Sequence, residues 1–230
     1  MKRIISCGCS ITHGYYVKNN QSTYLTAYPE VFAHRYNHEI INLAKPGSSN
    51  YFVAKQIEFA ITLRPDFLIV GFTSPYRFDY HERDSDHLDH RPTIRDWEYK
   101  NMGKTRYTNE IGVLNSNPIP RLVTFPHKKE FVEYALKYTD PSVSADKERY
   151  TILGMIHKLN SIGIPYVGID WLNVLDLEET PSNVCSTMSW KEYGAKFGDD
   201  GGGHFDQLGH DYAATELEKF INQNKLWDYK

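Results

Sequence analysis

The fold is best predicted from Arg3-Ile4-Ile5-Ser6-Cys7-Gly8-Cys9-Ser10, which lies near the start of the chain. The continuous apolar run Ile4–Cys7 is typical of a parallel strand that is covered on both faces. Gly8 favours a turn directly after this strand, so the hydroxyl of Ser10 projects at the strand's exit. Ligands of open parallel sheets bind outside the carboxyl ends of the strands. The segment therefore predicts an α/β sheet with Ser10 at its functional edge.

Strands and helices alternate along the chain after this segment. Apolar runs predict three further strands, at residues 39–43, 67–70 and 164–169. Apolar residues at helical spacing predict five helices, at residues 29–36, 50–63, 127–138, 145–160 and 206–223. Pro29, Asn50 and Asp206 are the start signals of three of these helices. The pattern predicts a three-layer α/β/α sandwich with a mainly parallel, flavodoxin-like central sheet.

Two long segments interrupt this alternation. Residues 73–126 are polar, aromatic and charged, and they exceed the length of an ordinary connection. We therefore expect a single domain over residues 1–230 with an insertion at about residues 73–126. Residues 171–200 form a second segment that we expect to be irregular. Both segments would line a site at the carboxyl edge of the sheet and determine which substrate that site accepts.

Composition indicates a globular protein and excludes several function classes. Of the 230 residues, 40% are hydrophobic and 24% are charged, which is typical of a folded domain. The net charge of −3, without a basic stripe, gives no sign of nucleic-acid binding. No apolar run is long enough for a membrane span or for a signal peptide, so we expect a cytoplasmic protein. The three cysteines lack CxxC spacing and predict neither a disulfide framework nor a zinc site.

The segment from His81 to His90 is rich in side chains that can bind metals. It has no established ligand spacing, and mixed charges of this kind are typical of a solvated loop. We therefore expect no metal site here and no cofactor elsewhere in the chain.

A serine, a histidine and a carboxylate stand where the predicted topology can bring them together. Ser10 follows the first strand, and His204 precedes the last helix, directly after Asp199-Asp200-Gly201-Gly202-Gly203. A serine hydroxyl becomes nucleophilic when a base accepts its proton, and an imidazole can do so at neutral pH. Asp200 or Asp199 could fix the tautomer of that imidazole. Ser10, His204 and Asp200 are therefore the candidate catalytic residues.

Loops after the first three predicted strands offer groups that could bind a substrate. The backbone N–H groups of Ser10 and Gly47 and the hydroxyl of Thr73 are candidate donors to the oxyanion of acyl transfer. For Thr73, a plain hydrogen-bonded residue at a strand end is an equal alternative. Arg77 could bind an anionic group of the substrate, and a structural ion pair is the alternative role for its side chain.

These blocks resemble those of the SGNH, or GDSL-like, hydrolases. In that family the nucleophilic serine follows the first strand, a loop glycine follows the second, and a late Asp-x-x-His block completes the triad. Asn42-Leu43-Ala44-Lys45-Pro46-Gly47-Ser48-Ser49-Asn50 is similar to the second block, and His204-Phe205-Asp206-Gln207-Leu208-Gly209-His210 is similar to the last. The resemblance implies a serine esterase or deacylase that acts on a small-molecule or carbohydrate ester without a cofactor.

The chain departs from the family's pattern at three positions. Cys9 replaces the Asp beside the nucleophile, Thr73 stands in place of the Asn that donates to the oxyanion, and Asp200 lies one residue too far from His204. These departures leave open a non-catalytic carbohydrate-binding or assembly module on the same scaffold. A third alternative uses residues 8–12 as the phosphate loop of a flavodoxin-like domain, but the GxGxxG and Walker patterns are absent. The oligomeric state stays open.

Overall fold

The computed structural model of this chain describes residues 1–18, 21–74, 77–81, 111–115, 141–172, 174–175, 180–197 and 204–228. Its strands are β1 (Arg3–Cys7), β2 (Tyr15–Lys18), β3 (Gln21–Tyr24), β4 (Glu39–Asn42), β5 (Phe67–Phe72), β6 (Arg77–His81), β7 (Ile111–Asn115), β8 (Tyr166–Asp170) and β9 (Val184–Cys185). Its helices are α1 (Ser10–His13), α2 (Tyr28–Arg35), α3 (Asn50–Thr62), α4 (Pro141–Ile162), α5 (Trp190–Phe197) and α6 (Gln207–Asn224).

Five parallel strands form the central sheet, in the order β4-β1-β5-β8-β9. β1 lies between β4 and β5, with Ile5 paired to Ile41 on one side and to Leu68 on the other. Every residue of β5 and β8 is buried, which explains why these strands are apolar runs without alternation. The predicted mainly parallel sheet is confirmed.

Successive side chains of each strand enter two separate cores. Ile4 and Ile69 pack on one face of the sheet against α2 and α6. Ile5 and Leu68 pack on the other face against α3 and α4. A strand places alternate side chains on opposite faces, so one continuous apolar run supplies both cores. The predicted three-layer α/β/α sandwich is confirmed.

The segment between β1 and α2 contains elements that the sequence did not predict. A single helical turn, α1, ends at Gly14, whose φ of +81° is a conformation that glycine adopts without strain. β2 and β3 follow as an antiparallel hairpin in which Tyr15 pairs with Tyr24. Strands of four residues with few apolar side chains carry too little periodicity to be predicted.

Several other elements differ from the prediction in their limits, and two were not predicted. Ser49 rather than Asn50 caps α3, because its hydroxyl accepts the Phe52 N–H at 3.1 Å. α4 begins at Pro141, four residues before its predicted start. Residues 171–200 contain β9 and α5, whereas we expected the whole segment to be irregular. Asp206 caps α6 as predicted, accepting the Gly209 N–H at 3.0 Å.

The expected insertion is described only in small part. β6 and β7 lie within it and pair antiparallel, with Asp79 opposite Val113. Most of residues 73–126, the predicted helix at 127–138 and residues 82–90 of the His81–His90 segment lie outside the described residues. The single domain with an insertion therefore stays a prediction. Within the part of the chain that the structure describes, no helix is long and apolar enough to cross a membrane.

Candidate active site

Ser10 lies where the main chain leaves the sheet. Gly8 and Cys9 carry the chain from the end of β1 into α1, and Ser10 is the first residue of this helical turn. The backbone N–H groups at the start of a helix have no partner within it. Ser10 is only 6% exposed, so its hydroxyl lies in a shielded position at the carboxyl edge of the sheet.

His204 lies against the Ser10 hydroxyl. The distance from His204 Nε2 to Ser10 Oγ is 2.8 Å, a hydrogen bond between residues that are 194 positions apart in the sequence. His204 comes just before α6, and the cap at Asp206 fixes the first turn of that helix. The ring of Tyr15 packs edge-to-face on the imidazole, with the ring centroids 5.3 Å apart. The predicted serine and histidine are therefore brought together in hydrogen-bonding geometry.

Thr12 determines how closely α1 approaches the sheet. A Cβ added at Gly8 or at Gly71 would collide with the Oγ1 of Thr12, so this side chain fills the space between two glycines at neighbouring strand ends. Its hydroxyl lies 3.2 Å from the Tyr28 hydroxyl, and its carbonyl accepts from Asn42 Nδ2 at 3.0 Å. These contacts hold α1, and with it Ser10, against β1 and β5.

Gln56 of α3 fixes the turn before the serine. Its Oε1 accepts the Gly8 N–H at 2.6 Å, and its Nε2 donates to the Gly8 carbonyl at 3.1 Å. The same Nε2 lies 3.1 Å from Ser48 Oγ in the loop after β4, so one buried amide connects two strand ends. The sequence signal for this role was a polar residue beside Val53 and Ile57 on the buried face of the predicted helix.

Gly47 occupies the loop after β4. Its φ is +83°, and within the described part of the chain no atom outside Gly47 and its two neighbours lies within 4 Å of the position where a Cβ would be. The Ser48 N–H donates to the Lys45 carbonyl at 3.2 Å, which closes a tight turn with Gly47 inside it. The backbone at Gly47 is therefore open to an approaching ligand, as a donor to an oxyanion must be.

Thr73 follows β5 and is held by Asn50 at the start of α3. The Thr73 N–H donates to Asn50 Oδ1 at 2.9 Å, and Asn50 Nδ2 donates back to the Thr73 carbonyl at 3.0 Å. Both residues are buried. The sequence suggested Asn50 as a helix cap, and the cap at Ser49 leaves its amide available for this strand-end contact.

For the remaining candidate residues, the structure describes either no atoms or only the backbone. Asp200 and its alternative Asp199 lie outside the described residues, so the acid of the triad stays a prediction. Arg77 begins β6, where only the backbone is described. Among the described residues, no cluster of three or more His, Cys, Asp or Glu side chains could hold a metal ion.

His210 adds an uncharged imidazole near His204. It is 1% exposed, lies in α6 and stacks on the Tyr28 ring at 6.5 Å between centroids. Burial, with a smaller effect of the nearby His204, lowers the pKa of His210 to about 3. His210 is therefore neutral at physiological pH and adds no positive charge beside His204.

No family model and no curated protein matches this sequence, but solved structures match its fold. The psychrotrophic esterase EstA from Pseudoalteromonas sp., in a form inhibited by monoethylphosphonate, has a TM-score of 0.51 at 8% identity, covering 97% of this chain and 98% of that one. An aryl esterase from M. smegmatis has a TM-score of 0.39 at 11% identity, covering 99% of this chain and 100% of that one. A G-D-S-L family protein from Desulfitobacterium hafniense DCB-2 has a TM-score of 0.37 at 10% identity, covering 98% of this chain and 75% of that one.

The likeness to the Pseudoalteromonas esterase extends over nearly the whole of both chains. It agrees with the parallel five-stranded sheet and its two helical layers. At this level of identity the likeness concerns the fold alone. The chain has an SGNH-hydrolase-like α/β/α fold, as the resemblance of its sequence blocks implied.

Proposed function

We propose that this protein is a serine hydrolase that cleaves an ester, with Ser10 as the nucleophile and His204 as the base. The observation that carries the proposal is the 2.8 Å hydrogen bond between Ser10 Oγ and His204 Nε2 at the carboxyl edge of the sheet. Ligands of parallel sheets bind at this edge. Hydroxyl and imidazole at hydrogen-bonding distance are the paired nucleophile and base of covalent acyl transfer.

The reaction proceeds in two acyl-transfer steps. Ser10 Oγ attacks the carbonyl carbon of the ester while His204 Nε2 takes the hydroxyl proton. The tetrahedral intermediate collapses to an acyl-serine, and the alcohol leaves with the proton from His204. A water molecule then attacks the acyl carbon while His204 takes one of its protons, and the acid is released as His204 returns the proton to Ser10 Oγ.

Other residues would stabilise the charges that develop. We assign the oxyanion to the backbone N–H groups of Ser10 and Gly47, with the Thr73 hydroxyl as a third donor. The open backbone at Gly47 and the fixed position of Thr73 are consistent with these roles. Asp200, or Asp199 in its place, would orient His204 and stabilise its imidazolium form. Arg77 would bind an anionic group of the substrate.

The substrate class that we favour is a carbohydrate ester. The expected insertion is rich in aromatic and polar residues, and such side chains suit a sugar better than a long acyl chain. The competing candidate is a non-catalytic binding or assembly module on the same scaffold. The hydrogen bond between Ser10 and His204 argues against it, because a binding module has no need of a paired nucleophile and base.

A covalent probe and a simple ester separate these two candidates. Phosphonate inhibition of an esterase with this fold makes a fluorophosphonate the natural probe for Ser10. We expect the wild-type protein to be labelled and to hydrolyse a short-chain aryl ester, and both Ser10→Ala and His204→Ala to lose at least about 10³-fold in rate. Ser161→Ala and His157→Ala, at exposed positions of α4, are the matched controls and should keep full activity. A wild-type protein that neither labels nor hydrolyses would favour the binding module.

A further inference from the structure

An arc of aromatic side chains extends from the catalytic histidine along one side of the site. Tyr15 packs on His204, Tyr24 packs on Tyr15 with 5.9 Å between ring centroids, and His13 packs on Tyr24 at 5.1 Å. We call Tyr15, Tyr24 and His13 the aromatic arc. Successive rings meet at angles between 58° and 74°, so the aromatic arc lines the site with a series of tilted ring faces that begins at the reacting pair. The reaction proposed above assigns it no role.

The hairpin after α1 places these rings. Gly14 turns the chain out of α1, and its carbonyl accepts the Leu25 N–H at 2.8 Å, which closes the base of the hairpin. Tyr15 and Tyr24 are directly opposite across the two strands, so their side chains share one face. His13 is three residues after Ser10 in α1, a spacing that places both on one side of the helical turn. Tyr24 is 64% exposed, so its ring is open to a ligand.

Lys45 lies near His13 of the aromatic arc. Lys45 begins the turn that contains Gly47, and its N–H donates to the Gly8 carbonyl at 3.1 Å. Its ammonium is near enough to His13 to lower the pKa of that imidazole, after the larger effect of burial. Burial also lowers the pKa of Lys45 itself, because its charge is partly removed from water. An ammonium in this environment interacts more strongly with an anion than a fully solvated one does.

Apolar ring faces next to a partly buried cation are complementary to a molecule that has both a ring and a negative charge. We propose that the aromatic arc and Lys45 form a subsite for an ester whose acyl or alcohol part carries a ring and a negative charge, such as a carboxylate. The ring of the substrate packs on Tyr15 and Tyr24, and its anionic group pairs with the ammonium of Lys45. The proposal rests on the esterase function proposed above and names its substrate class. An aromatic acid and an acidic sugar share this chemistry.

Matched pairs of esters test the charge. We would measure kcat/KM for 4-acetoxybenzoate and for neutral 4-acetoxybenzamide, and for O-acetylated galacturonate and O-acetylated galactose. Wild-type protein is expected to favour the anionic member of one pair about tenfold or more, and the pair that shows the preference identifies the ring. Lys45→Met should abolish the preference by lowering kcat/KM for the anionic ester more than for the neutral one, whereas Lys45→Arg should keep most of the preference. Lys158→Met, an exposed lysine of α4, is the control that should change neither value.

A binding measurement separates failure of the subsite from failure of the proposed hydrolysis. Calorimetry with Ser10→Ala protein should give tighter binding of the anionic than of the neutral member in at least one of the two pairs, and the difference should vanish in Ser10→Ala/Lys45→Met. Equal binding of the two members in both pairs overturns the subsite whether or not the wild-type enzyme turns over. A binding preference without hydrolysis by wild-type protein would support the subsite and refute the esterase. Hydrolysis with no charge preference in either pair would leave the esterase and remove the subsite.

Discussion

Asn50 holds the end of β5 against the start of α3 by a single side chain. β5 and its pairing with β8 end at Phe72, so the backbone of Thr73 is not hydrogen-bonded as part of the sheet. The Asn50 amide supplies both a donor and an acceptor to that backbone, inside the protein. A buried backbone group that loses its partner costs about 1–3 kcal/mol, so this residue contributes to stability and to the position of Thr73 together.

Replacement of Asn50 is expected to weaken both properties. Asn50→Ala leaves the N–H and carbonyl of Thr73 unpaired, and we expect the free energy of unfolding to fall by about 2–4 kcal/mol. Because Thr73 then shifts, kcat for an aryl ester should fall about tenfold or more. Urea denaturation and steady-state kinetics measure the two effects. Asn224→Ala, which removes an exposed hydrogen bond at the end of α6, is the control and should change the free energy of unfolding by less than about 0.5 kcal/mol.

The sequence predicted those site residues that belong to motifs next to a predicted strand or helix. Ser10 and His204 are each close to a strand exit or a helix start, and the structure joins them. Gln56 and Asn50 act on backbone groups of distant residues, and such contacts leave no spacing in the sequence. The acid at Asp200, or Asp199 in its place, lies outside the described residues and stays a prediction.

The position of α1 depends on two glycines that lack a side chain as well as on the contacts of Thr12. Gly8 and Gly71 stand on either side of Thr12, and neither strand end could approach the helical turn so closely with a Cβ present. Thr12 is fully buried and its branched side chain has few alternative rotamers. A larger residue at Gly71 must therefore displace α1, and Ser10 moves with it.

The displacement can be tested with two glycine substitutions. Gly71→Ala is expected to lower the free energy of unfolding by about 1–3 kcal/mol and to reduce kcat about tenfold or more, because Ser10 moves away from His204. Gly154→Ala, in α4 with open space around its Cβ, should stabilise the protein by about 0.5–1 kcal/mol without changing kcat.

A second substitution separates a shift of α1 from general damage. Gly71→Ala/Thr12→Ala removes the atom that the new methyl group meets, so kcat should recover in part relative to Gly71→Ala alone. Unchanged kcat in Gly71→Ala would show that Thr12 can move aside and that α1 does not depend on this gap.

Elements of the fold differ in how well the sequence predicted them. The strands of the central sheet follow from continuous apolar runs such as Phe67–Val70, because strands that are buried on both faces consist mainly of apolar residues. The β2–β3 hairpin and α5 are short and partly exposed, and their placement depends on turns such as that at Gly14. Local periodicity does not encode such contacts.

At the scale of the whole molecule, the two ends of the chain meet at one site. Ser10 follows the first strand of the sheet and His204 precedes the last helix, with the other four strands of the sheet between them in sequence. Their contact therefore depends on the complete sandwich. α2 and α6, which carry Tyr28 and His210, pack together beneath the site and couple its geometry to the stability of the fold.

Because its pKa is lowered, His210 is expected to make the free energy of unfolding decrease as the pH decreases. Its pKa is about 3 in the folded protein and about 6.5 when exposed in the unfolded chain, so between these values the unfolded chain binds more protons. The free energy of unfolding is therefore expected to fall by up to about 1.4 kcal/mol for each pH unit as the pH decreases below about 6.5. His13, whose pKa burial and Lys45 also lower, contributes in the same direction.

Urea denaturation at pH 7, 6 and 5 isolates the contribution of His210. His210→Phe keeps a ring against Tyr28 and Phe205 but cannot bind a proton, so its loss of stability between pH 7 and pH 5 should be smaller than that of wild type by about 2 kcal/mol. His157→Asn, at an exposed position of α4, is the matched control and should retain the wild-type slope. Equal slopes for wild type and His210→Phe would mean that the folded protein binds a proton at His210 as readily as the unfolded chain does.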